Sequence, residues 1–245
     1  MKLNFYIILL LLLSFTVKAD QIFEIIKIPN LTLHKLENKN SLAYLKPTKD
    51  FFVGSSFKNI SCKKNQSQNF NKKFLEAQRS IDKYNDDFFR KIKLKYIVLC
   101  SELEIAGIPA LGFANAEMKT LIFNINTNNS NFERVLHHEI FHIIEQNFSK
   151  YFSNISWSDL NLKEFKYSTC STCSNNYSLE KIYNSKGFVS EYAKSTISED
   201  MAETFSFMMS DNNLILDMIS KDEILNKKVR IIESIVKKLD FKHQF

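Results

Sequence analysis

The stretch Val135-Leu136-His137-His138-Glu139-Ile140-Phe141-His142-Ile143-Ile144 constrains this chain more than any other. Residues four apart on a helix share a face. His138 and His142 therefore present two imidazoles to one point, with Glu139 beside them. The flanking residues are mostly apolar, so the helix is expected to be buried. Buried histidines and a buried glutamate need partners, and a metal ion supplies them. The spacing His-Glu-x-x-His is that of zinc hydrolases: the histidines are ligands and the glutamate takes a proton from water.

The rest of the chain bounds what can surround this helix. Its 245 residues suffice for one sizeable domain, and 44% are apolar. With 4 Gly and 3 Pro, glycine-rich linkers and phosphate loops are not expected. The net charge of +6 reflects a Lys- and Asn-rich composition without a basic cluster interleaved with aromatics, so no nucleic-acid partner is expected. Met1-Lys2, the apolar run from Ile7 to Val17 and Val17-Lys18-Ala19 read as an export signal over 1–19, cut before Asp20. The alternative is an uncleaved anchor. Cleavage removes Lys2 and Lys18, lowers the charge from +6 to +4 and leaves no stable membrane span. The expected location is secreted or periplasmic.

Export makes disulfides available to Cys62, Cys100, Cys170 and Cys173. Four cysteines allow three pairings. Proximity favours Cys170 with Cys173, leaving Cys62 with Cys100. A loop staple is expected of the Cys-x-x-Cys pair rather than redox chemistry.

The expected fold class is α+β: a small mixed sheet with an edge strand beside the active-site helix, then a mainly helical C-terminal part. Strands are expected at 22–28, 41–45, 95–100, 111–114 and 120–125. The region 51–69 reads as polar with a turn at Gly54-Ser55-Ser56, and 105–109 as a turn. Phe74, Ala77, Ile81, Tyr84 and Phe88 form a helical stripe starting near Asn71. Ser130-Asn131-Phe132-Glu133 is a capping box opening the metal helix, which runs to about Phe148. Residues 150–186 are irregular. Gly187 to Ser190 is expected to be extended, with Tyr192 in a strand, and a helix follows over 198–210. Ser220 to Glu223 reads as a second capping box, opening a helix with Leu225, Ile232, Ile235 and Leu239 on one side. The domain plan is 20–65 as an N-terminal extension with short strands and 66–245 as the catalytic unit. An exposed sheet edge near the helix would pair with an extended peptide.

A catalytic zinc has three protein ligands and an open position. The metzincin pattern needs Gly and His where this chain has Glu145 and Phe148, which excludes that class. The only downstream histidine is His243, close to the end of the sequence, so the third ligand is expected to be a carboxylate. Glu199 and Glu203 lie four apart on one helix face. The bland alternative is an acidic helix start favoured by the dipole. His137 points about 100° away from His138 and reads as packed or solvent-facing. Glu145 continues the metal face without being an expected ligand.

Gly187-Phe-Val-Ser-Glu-Tyr-Ala193 followed by Glu199-Asp-Met-Ala-Glu203-Thr-Phe205 resembles the second half of a gluzincin peptidase site. The resemblance is to the catalytic domain of anthrax lethal factor and to secreted or periplasmic zinc metallopeptidases of bacteria. It covers about residues 95–240, and the specific matches fall in 135–144 and 187–205. It implies Glu199 as third zinc ligand, Glu203 as the residue orienting a ligand, and Tyr192 as the group assisting the transition state. The Cys170/Cys173 segment is not part of the pattern. The implied activity is hydrolysis of peptide or protein substrates with Glu139 as general base. The competing expectations are a catalytically inactive, zinc-stabilised secreted binding protein, or an extracellular interaction domain whose motif is accidental. Glu139 and Tyr192 argue against the first, since neither is needed merely to hold metal.

Overall fold

The computed structural model describes residues 31–33, 41–53, 59–65, 70–126, 132–152, 154–172 and 185–239. The expected export signal, the 22–28 strand, the capping residue Ser130, the Gly54-Ser55-Ser56 turn, Cys173 and His243 lie outside these residues. In chain order come β1 (Leu31–Leu33), β2 (Ala43–Pro47), β3 (Phe51–Val53), β4 (Ile60–Cys62), α1 (Phe70–Ile81) and α2 (Phe88–Lys91). Then follow β5 (Tyr96–Cys100), β6 (Leu103–Ile105), β7 (Ile108–Pro109), β8 (Gly112–Asn115) and β9 (Thr120–Asn124). The helices α3 (Phe132–Asn147), α4 (Asn154–Ser158), α5 (Ile197–Ser210), α6 (Asn212–Lys221) and α7 (Glu223–Lys238) complete the chain, with a 3-10 turn at Tyr192–Lys194.

The fold is α+β, in three layers. The main sheet has the order β1-β2-β5-β9-β8. Its centre is parallel, β2 with β5 and β5 with β9, while β1 and β8 run antiparallel at the two edges. Strand β2, from the expected 20–65 extension, thus lies in the same sheet as β5, β8 and β9. Both faces of the central strands are covered, so they read as continuous apolar runs. On β5, Ile97 and Leu99 face the helices, while Val98 and Cys100 face a second sheet of order β3-β4-β6-β7. Alternation continues on β9, where Leu121 and Phe123 point one way and Ile122 the other.

The second sheet corrects two expectations. The 51–69 region is not merely polar, and 105–109 is not only a turn. Strands β3 and β4 pair antiparallel, as do β6 and β7. Phe51, Val53, Ile60 and Leu103 supply the apolar face. Cys62 and Cys100 are both fully buried and form a disulfide joining β4 to β5, with Cα atoms 5.5 Å apart. Cys170 is disulfide-bonded as well.

Helix α1 ends at Ile81, before the expected stripe does. Tyr84 and Phe88 stay buried because the chain turns there and α2 carries on the same apolar packing. Helix α6 was not expected. Its N-cap is Asp211, and Ser220 lies inside it, bonding back to Asp217. The cap of α7 is therefore Asp222, not Ser220; its side chain accepts from the Leu225 amide at 3.0 Å. Gly187 is not extended: its φ is +86°, and an added Cβ would stand 2.7 Å from the Ile224 side chain. A left-handed φ favours glycine, so the chain turns here and delivers Tyr192 on the 3-10 turn rather than on a strand. Among the described residues no helix is long and apolar enough to cross a membrane.

The first turn of α3 carries Glu133, favourable at a helix N-terminus. Its carboxyl is held down to about 2, first by the His137 imidazole and then by Lys83 against partial burial. Lys83 lies 2.6 Å away and His137 3.6 Å. A depressed carboxyl stabilises the fold above its unfolded value and loses that contribution as pH falls through its folded value. Glu133→Gln should lower the melting temperature near neutrality and flatten its decline between pH 4.5 and about 2. Thermal melts over that range check this; parallel curves for parent and variant would refute it.

Candidate metal centre

Two helices build the site. Helix α3 packs lengthwise against α5, and both are buried along the contact. Thr196 caps α5 by accepting from the Glu199 amide at 3.2 Å, which fixes the turn from which Glu199 projects. Thr196-x-x-Glu199 has the capping-box spacing, which the expected helix start at 198 did not use. The Glu199 carboxylate turns towards α3 instead of back to the cap.

His138, His142 and Glu199 each bring one ligand atom to a common point, all within 4.8 Å of one another. His138 Nε2 lies 2.9 Å from Glu199 Oε2, and His142 Nε2 lies 3.3 Å from it. The two Nε2 atoms are 3.1 Å apart. A tetrahedral zinc with bonds of ~2.0–2.2 Å spaces its ligand atoms about 3.3–3.5 Å apart, close to the separations here.

The outer nitrogens of both rings are engaged. His138 Nδ1 lies 2.9 Å from Glu203 Oε1. His142 Nδ1 lies 3.5 Å from Glu145 Oε2 and 3.4 Å from the Ser198 hydroxyl. Nδ1–H donation to a carboxylate leaves Nε2 with a lone pair, the tautomer a metal requires.

Charge points the same way. Burial works against charge on His138, but hydrogen bonds to Glu199 and Glu203 outweigh it and hold the ring well above its ordinary value. Burial also opposes charge on His142, which Glu145 and Glu199 still push up to about 9. Burial works against the Glu199 carboxylate too, and the two imidazoles overcome it and hold the group far below its usual range. The carboxylates thus demand positive charge at the point where the two Nε2 atoms meet. Two nitrogens, one oxygen and this demand fit a divalent zinc.

Glu139 is 8% exposed, and burial pushes its carboxyl up. It stands against the edge strand: a Cβ on Gly112 would lie 2.6 Å from its Cγ and 2.8 Å from its Oε1. Strand β8 is thus the edge beside the metal helix, and its glycine makes room for this carboxylate. Tyr192 lies over His138, with ring centroids 5.9 Å apart. Burial, then the Glu199 and Glu139 carboxylates, hold its phenol far above the ordinary range, and Ser171 also reaches the hydroxyl. His137 points away and packs; its Nδ1 meets the Tyr84 hydroxyl at 2.7 Å.

Sequence reasoning missed two groups. Ser190 donates to Glu203 at 2.6 Å. Asp200, next to Glu199, forms a fully buried ion pair with Lys228 at 2.6 Å. A lone serine carries no signal, and a lysine within an apolar stripe reads as solvent-facing.

A family profile described as "putative zinc-binding metallo-peptidase" matches residues 68–245. Among solved structures, the crystal structure of a "putative zinc-binding metallo-peptidase" from Bacteroides caccae is 20% identical, with a TM-score of 0.44 over 68% of this chain and 69% of that one. No curated protein matches the chain.

Proposed function

Because the chain belongs to the family of putative zinc-binding metallo-peptidases, we propose that it is an exported peptidase whose zinc is held by His138, His142 and Glu199. The convergence of those three ligand atoms beside a buried Glu139 carries this reading. Zinc, when bound, supplies Lewis-acid polarisation of the scissile carbonyl and acidifies the attacking water. Glu139 takes the water proton and returns it to the leaving amine; burial pushes its carboxyl up, which makes it a stronger base than an exposed carboxylate. Tyr192 donates its phenolic proton as a hydrogen bond to the developing oxyanion; its raised value keeps that proton in place. Glu203 holds His138 in the tautomer whose Nε2 faces the ion, and Glu145 acts likewise on His142. An extended peptide lies along β8, the sheet edge next to Glu139.

The start of the chain supports export: Lys2, the apolar run to Val17 and the small residue Ala19 suit a cleaved signal. The Cys62–Cys100 disulfide suits an oxidising compartment.

Zinc per mole in residues 20–245, measured beside Glu199→Ala, tests the site. The expected result is about one zinc in the parent and markedly less in the variant. Peptide-library cleavage then tests the activity. A parent that takes up no zinc even when metal is added would overturn the proposal.

A further inference from the structure

We infer that Ser190 is a positioning residue that ties the orientation of a zinc ligand to the placement of Tyr192. This rests on the site reading above. Ser190 is fully buried. A hydroxyl offers one proton and two lone pairs, and both capacities are used. Its Oγ donates to Glu203 Oε2 at 2.6 Å and accepts from the Ala193 amide at 3.1 Å. The other oxygen of Glu203 engages His138 Nδ1 at 2.9 Å. One continuous path therefore runs from His138 through Glu203 and Ser190 to the amide adjoining Tyr192.

Each end of this path would lose a constraint without the hydroxyl. Glu203 projects from α5 on rotatable bonds, and Ser190 pins the oxygen that His138 does not. The Ala193 amide lies inside the 3-10 turn Tyr192–Lys194, whose next two amides, Lys194 and Ser195, find backbone carbonyls at Glu191 and Tyr192. The Ala193 amide takes the Ser190 hydroxyl instead. Buried polar groups left without partners are costly, so loss of the hydroxyl frees both the carboxylate and the turn to move. Ligand shell and oxyanion donor come from different segments of the chain, and this hydroxyl sets their relative position.

The test uses Ser190→Ala, Tyr192→Phe and the double variant in the mature chain, with Glu199→Ala as reference. Zinc affinity is read by competition with a chelator, and peptide hydrolysis by kcat and KM separately. Ser190→Ala should weaken zinc binding by about 10-fold, the low end of the cost of losing an outer partner of a ligand, because Glu203, the direct partner of His138, stays in place. It should also lower kcat at saturating zinc with little change in KM. In the Tyr192→Phe background the kcat loss should shrink, because the group being positioned is gone, while the zinc loss persists. A purely structural serine predicts a lower melting temperature with zinc affinity unchanged, and that result overturns the inference. So does a kcat loss that multiplies in full with that of Tyr192→Phe. If Ser190→Ala melts below the assay temperature, Ser190→Cys, with similar size and a weak donor, takes its place with the same expected directions. Undiminished zinc in Glu199→Ala would overturn the site reading instead.

Discussion

Replacing Lys228 by methionine is expected to destabilise the fold by about 3–5 kcal/mol, the usual cost of stranding one partner of a buried ion pair. Lys228 and Asp200 are both fully buried. The ammonium lies 2.6 Å from Asp200 Oδ2 and 2.7 Å from the Gly187 carbonyl, above the Phe188 ring at 4.1 Å from its centroid. The same carboxylate oxygen accepts from Trp157 Nε1 at 2.9 Å and from the Tyr167 hydroxyl at 2.5 Å. Burial pushes the Asp200 carboxyl up and the Lys228 amine down, and each group's charge is sustained by the other. Methionine fills the volume but leaves the carboxylate without its cation. Adding Asp200→Asn should recover part of the loss. Urea unfolding of the three proteins measures this; a loss below about 1 kcal/mol for Lys228→Met, in the range of an exposed pair, would show that the pair contributes no more than a surface contact.

The second large effect is on turnover. Glu139→Gln should lower kcat by about 10²–10⁴-fold, the range for losing a general base, with zinc content unchanged. The amide keeps the shape that fits against Gly112, so packing and ligand geometry survive the change. Only the capacity to accept a proton disappears. Zinc content and single-turnover hydrolysis on the same preparation separate the two quantities. Equal turnover in variant and parent would remove Glu139 from the proposed mechanism.

These residues also show what the sequence made legible. Helix α3 was readable because a spacing of four puts His138 and His142 on one face, and its apolar flanks announced burial. Strands β5, β8 and β9 were readable from apolar runs separated by turn residues. The short strands β3, β4, β6 and β7 were not, because two or three residues cannot display an alternation. Their apolar face has meaning only against Val98, Cys100 and Ile122 of the other sheet. The spacing of Glu199 and Glu203 placed both carboxylates on one side of α5, but nothing local said what they faced; α3 decides that. Lys228 was illegible for the same reason. Its partner Asp200 is 28 residues away, and only tertiary packing reveals that a lysine among apolar neighbours is satisfied.

The Cys62–Cys100 bridge sits between the two sheets, sealed from solvent on every side. Small oxidants and thiol exchange partners approach sulfur through water, so the finished molecule gives them no entry. Making the crosslink therefore requires the two sheets to be apart, before folding is complete or in an opening of the sandwich. Once the sheets close, a reductant meets the same barrier. The state of this crosslink then changes no faster than the sandwich opens.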